Sequence, residues 1–192
     1  MTNMTSGRIF PGRHFPAKGR VLGTAGATPP LNKLIALPYD IAGSFDAIAA
    51  LNKYGGSGNA LMRAGLYSCN FPGLPTTLLA DTGDYEVDTA HQGLIAMALD
   101  ETLYFDTPLW VVGLFGGDTA PNMLSSAAIS AYEMQQTFGV GTSQLELGMF
   151  TGSNAILADY EYGPLPETFP LESAVLSSSS LWLSLRSAEA SE

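Results

Sequence analysis

Ten consecutive residues, Thr107–Gly116 (TPLWVVGLFG), set the tightest condition on what this chain can fold into. In an extended strand alternate side chains point to opposite faces. Leu109, Val111 and Phe115 then share one face, and Trp110, Val112 and Leu114 share the other. Neither face suits water. The strand has to be covered twice, once by an opposing sheet and once by a second layer or another subunit. Trp110, Val112 and Leu114 are therefore candidates for a subunit interface or for core.

The surrounding chain offers short extended segments divided by turn residues. In Ala60–Tyr85, Met62, Ala64 and Leu66 alternate with Arg63 and Tyr67, which reads as a strand with one buried side. Asn70-Phe71-Pro72-Gly73-Leu74-Pro75 reverses the chain, Thr76–Ala80 extends again, and Asp81-Thr82-Gly83-Asp84 turns once more. Leu34–Leu37 is a short apolar run stopped by Pro38, and Gln92–Leu99 is apolar on both faces. Gln144–Phe150 alternates, with Leu145, Leu147 and Met149 inward. Leu181, Leu183 and Leu185 line one face of a final strand that closes the sheet. Ser44–Asn52 satisfies both a helical and a strand pattern, and within Pro121–Phe138 a helix and a long loop are both open. Short strands with turn signals every 8–12 residues predict an all-β chain: an antiparallel, jelly-roll-like β-sandwich.

Charge divides the chain unevenly. Arg8, Arg13, Lys18, Arg20 and Lys33 all precede the first acidic residue, Asp40. The first 39 residues thus carry +5, and the remaining 153, with three basic and eighteen acidic residues, carry −15. Residues 1–30 are rich in proline and glycine and lack periodicity, so they read as an irregular, extended basic arm, followed by a sandwich domain over 31–192. Ile9, Phe10, Phe15, Val21 and Leu22 give this arm apolar anchors that a purely solvating tail would not need. Arg8, Phe10, Arg13, Phe15, Lys18 and Arg20 are the candidate attachment residues. Nucleic acid is the less favoured partner, because five charges spread over 39 residues make no dense patch and only Phe10 and Phe15 offer stacking rings. Charged residues make up only 14% of the chain against roughly 25% in typical soluble domains, which suggests a surface that meets another subunit. No apolar run approaches the roughly 18 residues needed to cross a bilayer, and the N-terminus lacks the apolar stretch of a secretory signal.

Signals for catalysis are weak, and no enzyme activity or cofactor is expected. His14 lies in the arm and His91 beside a glycine, so no Ser/His/Asp order is specified. The single cysteine, Cys69, ends a strand, where packing is the commoner role. Asp84, Glu86 and Asp88 alternate along one strand. That pattern suits a solvated edge better than a calcium site or a glycosidase pair. Gly55-Gly56-Ser57-Gly58 has no following lysine and helix, so it reads as a hairpin loop and not a phosphate cradle. Tyr54, Tyr104, Tyr132 and Tyr162 are the candidate rings for a sugar-binding surface.

Arg63-Ala64-Gly65-Leu66-Tyr67-Ser68, Pro72-Gly73-Leu74-Pro75 and Leu78-Leu79-Ala80-Asp81-Thr82-Gly83 together resemble a β-sandwich domain recurrent in tailed-bacteriophage fibre and tail proteins. There a strand ending R-x-G-I-Y leads into a G-x-P-G-x-L-L-x-D-x-G loop and strand. Leu94–Leu99 with Leu109-Trp110-Val111-Val112-Gly113 is similar to the family's next pair of strands. Gly163–Pro170 and Leu181–Arg186 resemble its closing loop and last strand. The likeness covers roughly Leu31–Ser187 and departs at Leu103–Pro108, where the family has a P-G-L-Y turn. It implies a virion structural protein assembled in the host cytoplasm: a tail or head fibre, or a capsid decoration, neck or tail-assembly protein. It also implies a homotrimer, contacts to other virion proteins through residues 1–30, and a host-surface glycan as receptor. The alternative from a different class is a non-viral carbohydrate- or calcium-binding sandwich.

Overall fold

A computed structural model describes residues 14–16, 22–39, 41–53, 58–70, 73–88, 92–126, 155–177 and 181–188. The strands are β1 (His14–Pro16), β2 (Leu22–Ala27), β3 (Lys33–Tyr39), β4 (Gly43–Asn52), β5 (Ala60–Cys69), β6 (Pro75–Asp81) and β7 (Tyr85–Val87). They continue as β8 (Gly93–Phe105), β9 (Leu109–Gly117), β10 (Met123–Ser126), β11 (Ala155–Asp159), β12 (Val175–Ser177) and β13 (Leu183–Ser187). Every pairing among them is antiparallel. Two sheets stack as a sandwich, as the turn spacing predicts.

The first sheet runs β1-β13-β4 and on through β10 to β2, with β8 on the other side of β4. β13 pairs with Phe45–Ala50 of β4 and β10 with Asn52, so these two strands lie end to end along one edge of β4. β8 takes the opposite edge and, among the described residues, is an outer strand. The second sheet is ordered β12-β11-β3-β9-β5-β6, with β7 beside β6 along the same edge of β5. Ser44–Asn52, open between helix and strand in the sequence, is a strand because both its edges are paired, and tertiary pairing outweighs alanine's helical preference.

The main core fills the space between the sheets. Ile35, Leu37, Phe45, Ile48, Met62, Leu66, Val111, Phe115, Leu183 and Leu185 all belong to it. Tyr39 donates its hydroxyl across the sandwich to the Leu183 carbonyl, tying the two layers together. A second, smaller core lies on the outer side of the second sheet. There Leu34, Ala36, Tyr67, Trp110, Val112 and Leu114 pack under Leu165 and Phe169.

Several expectations change against this structure. The stretch expected to be irregular arm contributes two strands to the first sheet, β1 and β2. Leu22–Ala27, LGTAGA, held there by backbone pairing to β10, has no side-chain alternation to announce it. Pro38 does not stop β3, which continues to Tyr39. Pro38 pairs with Trp110 on one side, while β11 reaches only as far as Ala36 on the other, so its missing N–H falls on a locally open edge. β5 is buried on both faces, since Tyr67 is as inaccessible as Met62 and Leu66. β8 is buried on one face only: Ile95, Met97 and Leu99 point inward, while Leu94, Ala96 and Ala98 are exposed. Of Pro121–Phe138, the structure describes the start, where Met123–Ser126 is a strand; the rest of that segment and Gln144–Phe150 lie outside the described residues.

Candidate functional site: the hairpin clasp and the acidic groove

Arg63, Asp81, Asp84 and Leu165, from separate segments of the sequence, meet in space. β5 and β6 form the central hairpin, and the turn at Gly83, with φ of 72°, returns the chain to β7. Arg63 Nε lies 2.7 and 2.9 Å from the two carboxylate oxygens of Asp81, and its Nη1 lies 2.9 Å from Asp84 Oδ1. Asp81 also accepts the backbone N–H groups of Gly83 at 2.9 Å and Leu165 at 3.1 Å. One carboxylate thus holds its own turn, the neighbouring strand and the closing loop. Burial acts to lower the Arg63 pKa, but hydrogen bonds and charge from Asp81, then Asp84, outweigh it, and the guanidinium is held above its ordinary value.

The closing loop continues the second sheet outward. Leu78 N–H donates to the Glu167 carbonyl at 2.9 Å and Phe169 N–H to the Thr76 carbonyl at 2.8 Å, around a Thr77–Thr168 bridge. Tyr67 donates to the Pro166 carbonyl at 2.7 Å, and its ring meets Phe169 edge-on with centroids 5.6 Å apart. Gly65 lies under Leu165, where an added Cβ would sit 2.6 Å from the Ala80 carbonyl oxygen. Residues 163–170 are therefore the second layer that the two-faced strand requires, and the chain supplies it itself. Trp110, Val112 and Leu114 are each 0% exposed within this one chain, so they are core. Their apolarity cannot be used to infer a subunit interface.

The acidic strand is only partly a solvated edge. Glu86 is exposed, Val87 enters the main core, and Asp84 is engaged by Arg63 and by the Tyr162 hydroxyl at 3.1 Å. No group of three or more His, Cys, Asp or Glu side chains among the described residues has a metal-binding arrangement. Burial pushes the Cys69 thiol above its ordinary pKa, with a hydrogen bond from Trp110 acting the other way; a raised thiol is a poorer nucleophile at neutral pH. His14 is in β1, paired with Arg186, and His91 lies outside the described residues.

Of the candidate arm residues, Phe15 is placed in β1 opposite Leu185, while Arg8, Phe10, Arg13, Lys18 and Arg20 lie outside the described residues. Tyr104 is 68% exposed; Tyr54 and Tyr132 are outside the described residues. Tyr162 is committed to Asp84 and to the surface of Gly116, where an added Cβ would strike its ring.

Two surface features escaped the sequence reading. Opposite Asp46 of β4, β8 places four residues, Leu99–Thr102, between the partners of Phe45 and Ala47. This wide bulge throws Asp100 and Glu101 outward, and a groove of about 240 Å³ opens between them and β6. Leu79, Ala80, Leu99 and Leu103 line it with Asp81. The other feature is Tyr85, which faces a shallower hollow with Asn52, Asp88 and Gln92. Asp100-Glu101-Thr102 was the available signal for the bulge, since it interrupts alternation within an otherwise strand-like run. No protein-family model, curated protein or solved structure matches the chain.

Proposed function

We propose that the protein is a structural component of a tailed-bacteriophage virion, of the fibre or receptor-binding type, which docks through its N-terminal arm and presents the sandwich for adhesion to a host surface. One observation carries this reading. Three segments of the likeness meet at the Asp81 carboxylate, which binds Arg63 and accepts the N–H groups of Gly83 and Leu165, while Tyr67 bonds the Pro166 carbonyl beside them. A chance match of short motifs has no reason to converge on one carboxylate and one closing loop. The reading includes homo-oligomers, a homotrimer by analogy with fibres, and contact with other virion proteins through the first residues.

Particles purified from an infected culture provide the test. The protein should be present in stoichiometric amounts, and a variant lacking residues 1–12, which leaves β1 and β2 intact, should fold but fail to incorporate. Absence from purified particles, or normal incorporation without those residues, would overturn the reading or its docking step respectively. A second reading, a sugar-binding sandwich outside a virus, is favoured by Tyr85 beside Asn52, Asp88 and Gln92, an aromatic ring among planar polar groups. Glycan-array binding lost in Tyr85→Ala, by a protein absent from particles, would select it.

A further inference from the structure

We propose that residues 8–13 of one copy lie in the acidic groove of a second copy, between Leu79–Asp81 of β6 and Leu99–Leu103 of β8, so that copies join head to tail. The inference goes beyond the virion reading, because it concerns how copies associate in solution whatever particle they belong to.

Groove and segment are complementary in kind. The groove has an apolar lining of Leu79, Ala80, Leu99 and Leu103, with Asp100 and Glu101 exposed on the bulge. Asp81 is already committed to Arg63, whereas Asp100 and Glu101 enter none of the ion pairs among the described residues. Leu79 is 43% exposed, an apolar side chain at the lip of the groove left to water. The segment Arg8-Ile9-Phe10-Pro11-Gly12-Arg13 places an apolar pair between two cations. Ile9 and Phe10 match the leucines, and Arg8 and Arg13 match the carboxylates. β8 also has an outer edge that no described strand pairs, which offers backbone groups to an extended segment.

Reach decides whose arm it is. In the first sheet β1 and β8 lie on opposite edges, separated by β13 and β4. Three interstrand steps amount to about 14 Å. Within one chain, Ile9–Arg13 spans at most about 17 Å even fully extended. Arg13 adjoins β1, about 14 Å from β8, so within one chain Arg8, Ile9, Phe10 and Arg13 cannot lie together in the groove that they match. A neighbouring copy has no such difficulty, because the arm leaves from one edge and the groove opens at the other. Donor and acceptor on opposite edges make a heterologous contact, which closes into a ring when the rotation permits.

Charge reversal in the full chain tests this. Wild type should be larger than a monomer by light scattering at micromolar concentration and should dissociate with added salt. Asp100→Lys with Glu101→Lys, or Arg8→Glu with Arg13→Glu, should each weaken association about 100-fold or more, with unchanged circular dichroism and melting temperature. All four changes in one chain should restore association, as should mixing the two double variants. A monomeric wild type, association indifferent to either reversal, no rescue in the fourfold variant, or a crosslink between residue 10 and residue 101 confined to single chains would each overturn the proposal.

Discussion

Arg63 and Asp81, which belong to adjacent strands of the central hairpin, are joined through one guanidinium nitrogen to both carboxylate oxygens, at 2.7 and 2.9 Å. Their side chains are 14% and 19% exposed, so the pair is largely shielded from solvent. Asp81 also holds Gly83 and Leu165 by their backbone N–H groups. Asp81→Ala leaves the guanidinium and two N–H donors without that partner. It is expected to lower unfolding free energy by about 2–4 kcal/mol. Urea denaturation monitored by tryptophan fluorescence measures this. Arg63→Met combined with Asp81→Leu should be less damaging than Asp81→Ala alone, because removing both charges leaves no uncompensated ion. A double variant at least as unstable as the single one would argue that the backbone contacts to Leu165 and Gly83, not the ion pair, carry the effect.

Gly65 occupies a place with no room for a side chain. A methyl group there would press on the Ala80 carbonyl at 2.6 Å and on Leu165. The leucine can turn aside, but the carbonyl belongs to the paired β6 backbone and cannot. Gly65→Ala should therefore destabilise by about 1–3 kcal/mol. It should also loosen the closing loop before the sandwich melts, visible as faster amide exchange at Leu78 and Phe169, whose N–H groups hold that loop. Uniform loss of protection would place the damage in the hairpin itself.

Alternation was enough to show the sandwich, because strands such as Leu183–Ser187 and the Met62–Leu66 part of β5 set apolar side chains toward the main core at period two. It was also enough to show that β9 is covered twice. What covers it was not legible. Residues 163–170 carry only Leu165 and Phe169 as anchors amid prolines and polar residues, and their position follows from Asp81, Tyr67 and Thr76, none of which is adjacent in sequence. β1 and β2 escaped notice for another reason: HFP and LGTAGA are held by backbone pairing, which leaves no periodic signature. The bulge in β8 leaves a trace in the sequence only as the break in alternation at Asp100-Glu101-Thr102; that four residues face Asp46 is set by the pairing with β4.

Trp110 provides a check on the self-covered strand. It is the largest fully buried side chain and packs in the second core with Tyr67, Leu165 and Phe169. Trp110→Ala should cost about 3–5 kcal/mol, through lost burial and the cavity left behind, without changing the oligomeric state of the protein that remains folded. Sedimentation below the midpoint of unfolding separates the two roles. A shift in assembly with little loss of stability would return Trp110 to a subunit contact.

Two tyrosines give the fold an alkaline limit. Burial raises the Tyr67 hydroxyl pKa, and the nearby Asp81 charge adds to it; burial likewise raises Tyr162, with the bond and charge of Asp84 adding to it. Both therefore keep their protons in the folded chain above the ordinary value of 10.0, while the unfolded chain releases them there. The folded state binds more protons in that window, so stability falls as pH rises. The contribution is fully present below about pH 10 and is lost progressively as pH climbs toward the higher folded values. Absorbance at alkaline pH should show the tyrosinate signal of Tyr67 and Tyr162 appearing late, coincident with unfolding. The decline in urea midpoint above pH 10 should be shallower in Tyr67→Phe. That variant should also lose about 1 kcal/mol at neutral pH, because the bond to the Pro166 carbonyl is gone. An equally steep decline in Tyr67→Phe would remove Tyr67 from the linkage and leave the closing loop's grip on the hairpin to Asp81 and the backbone.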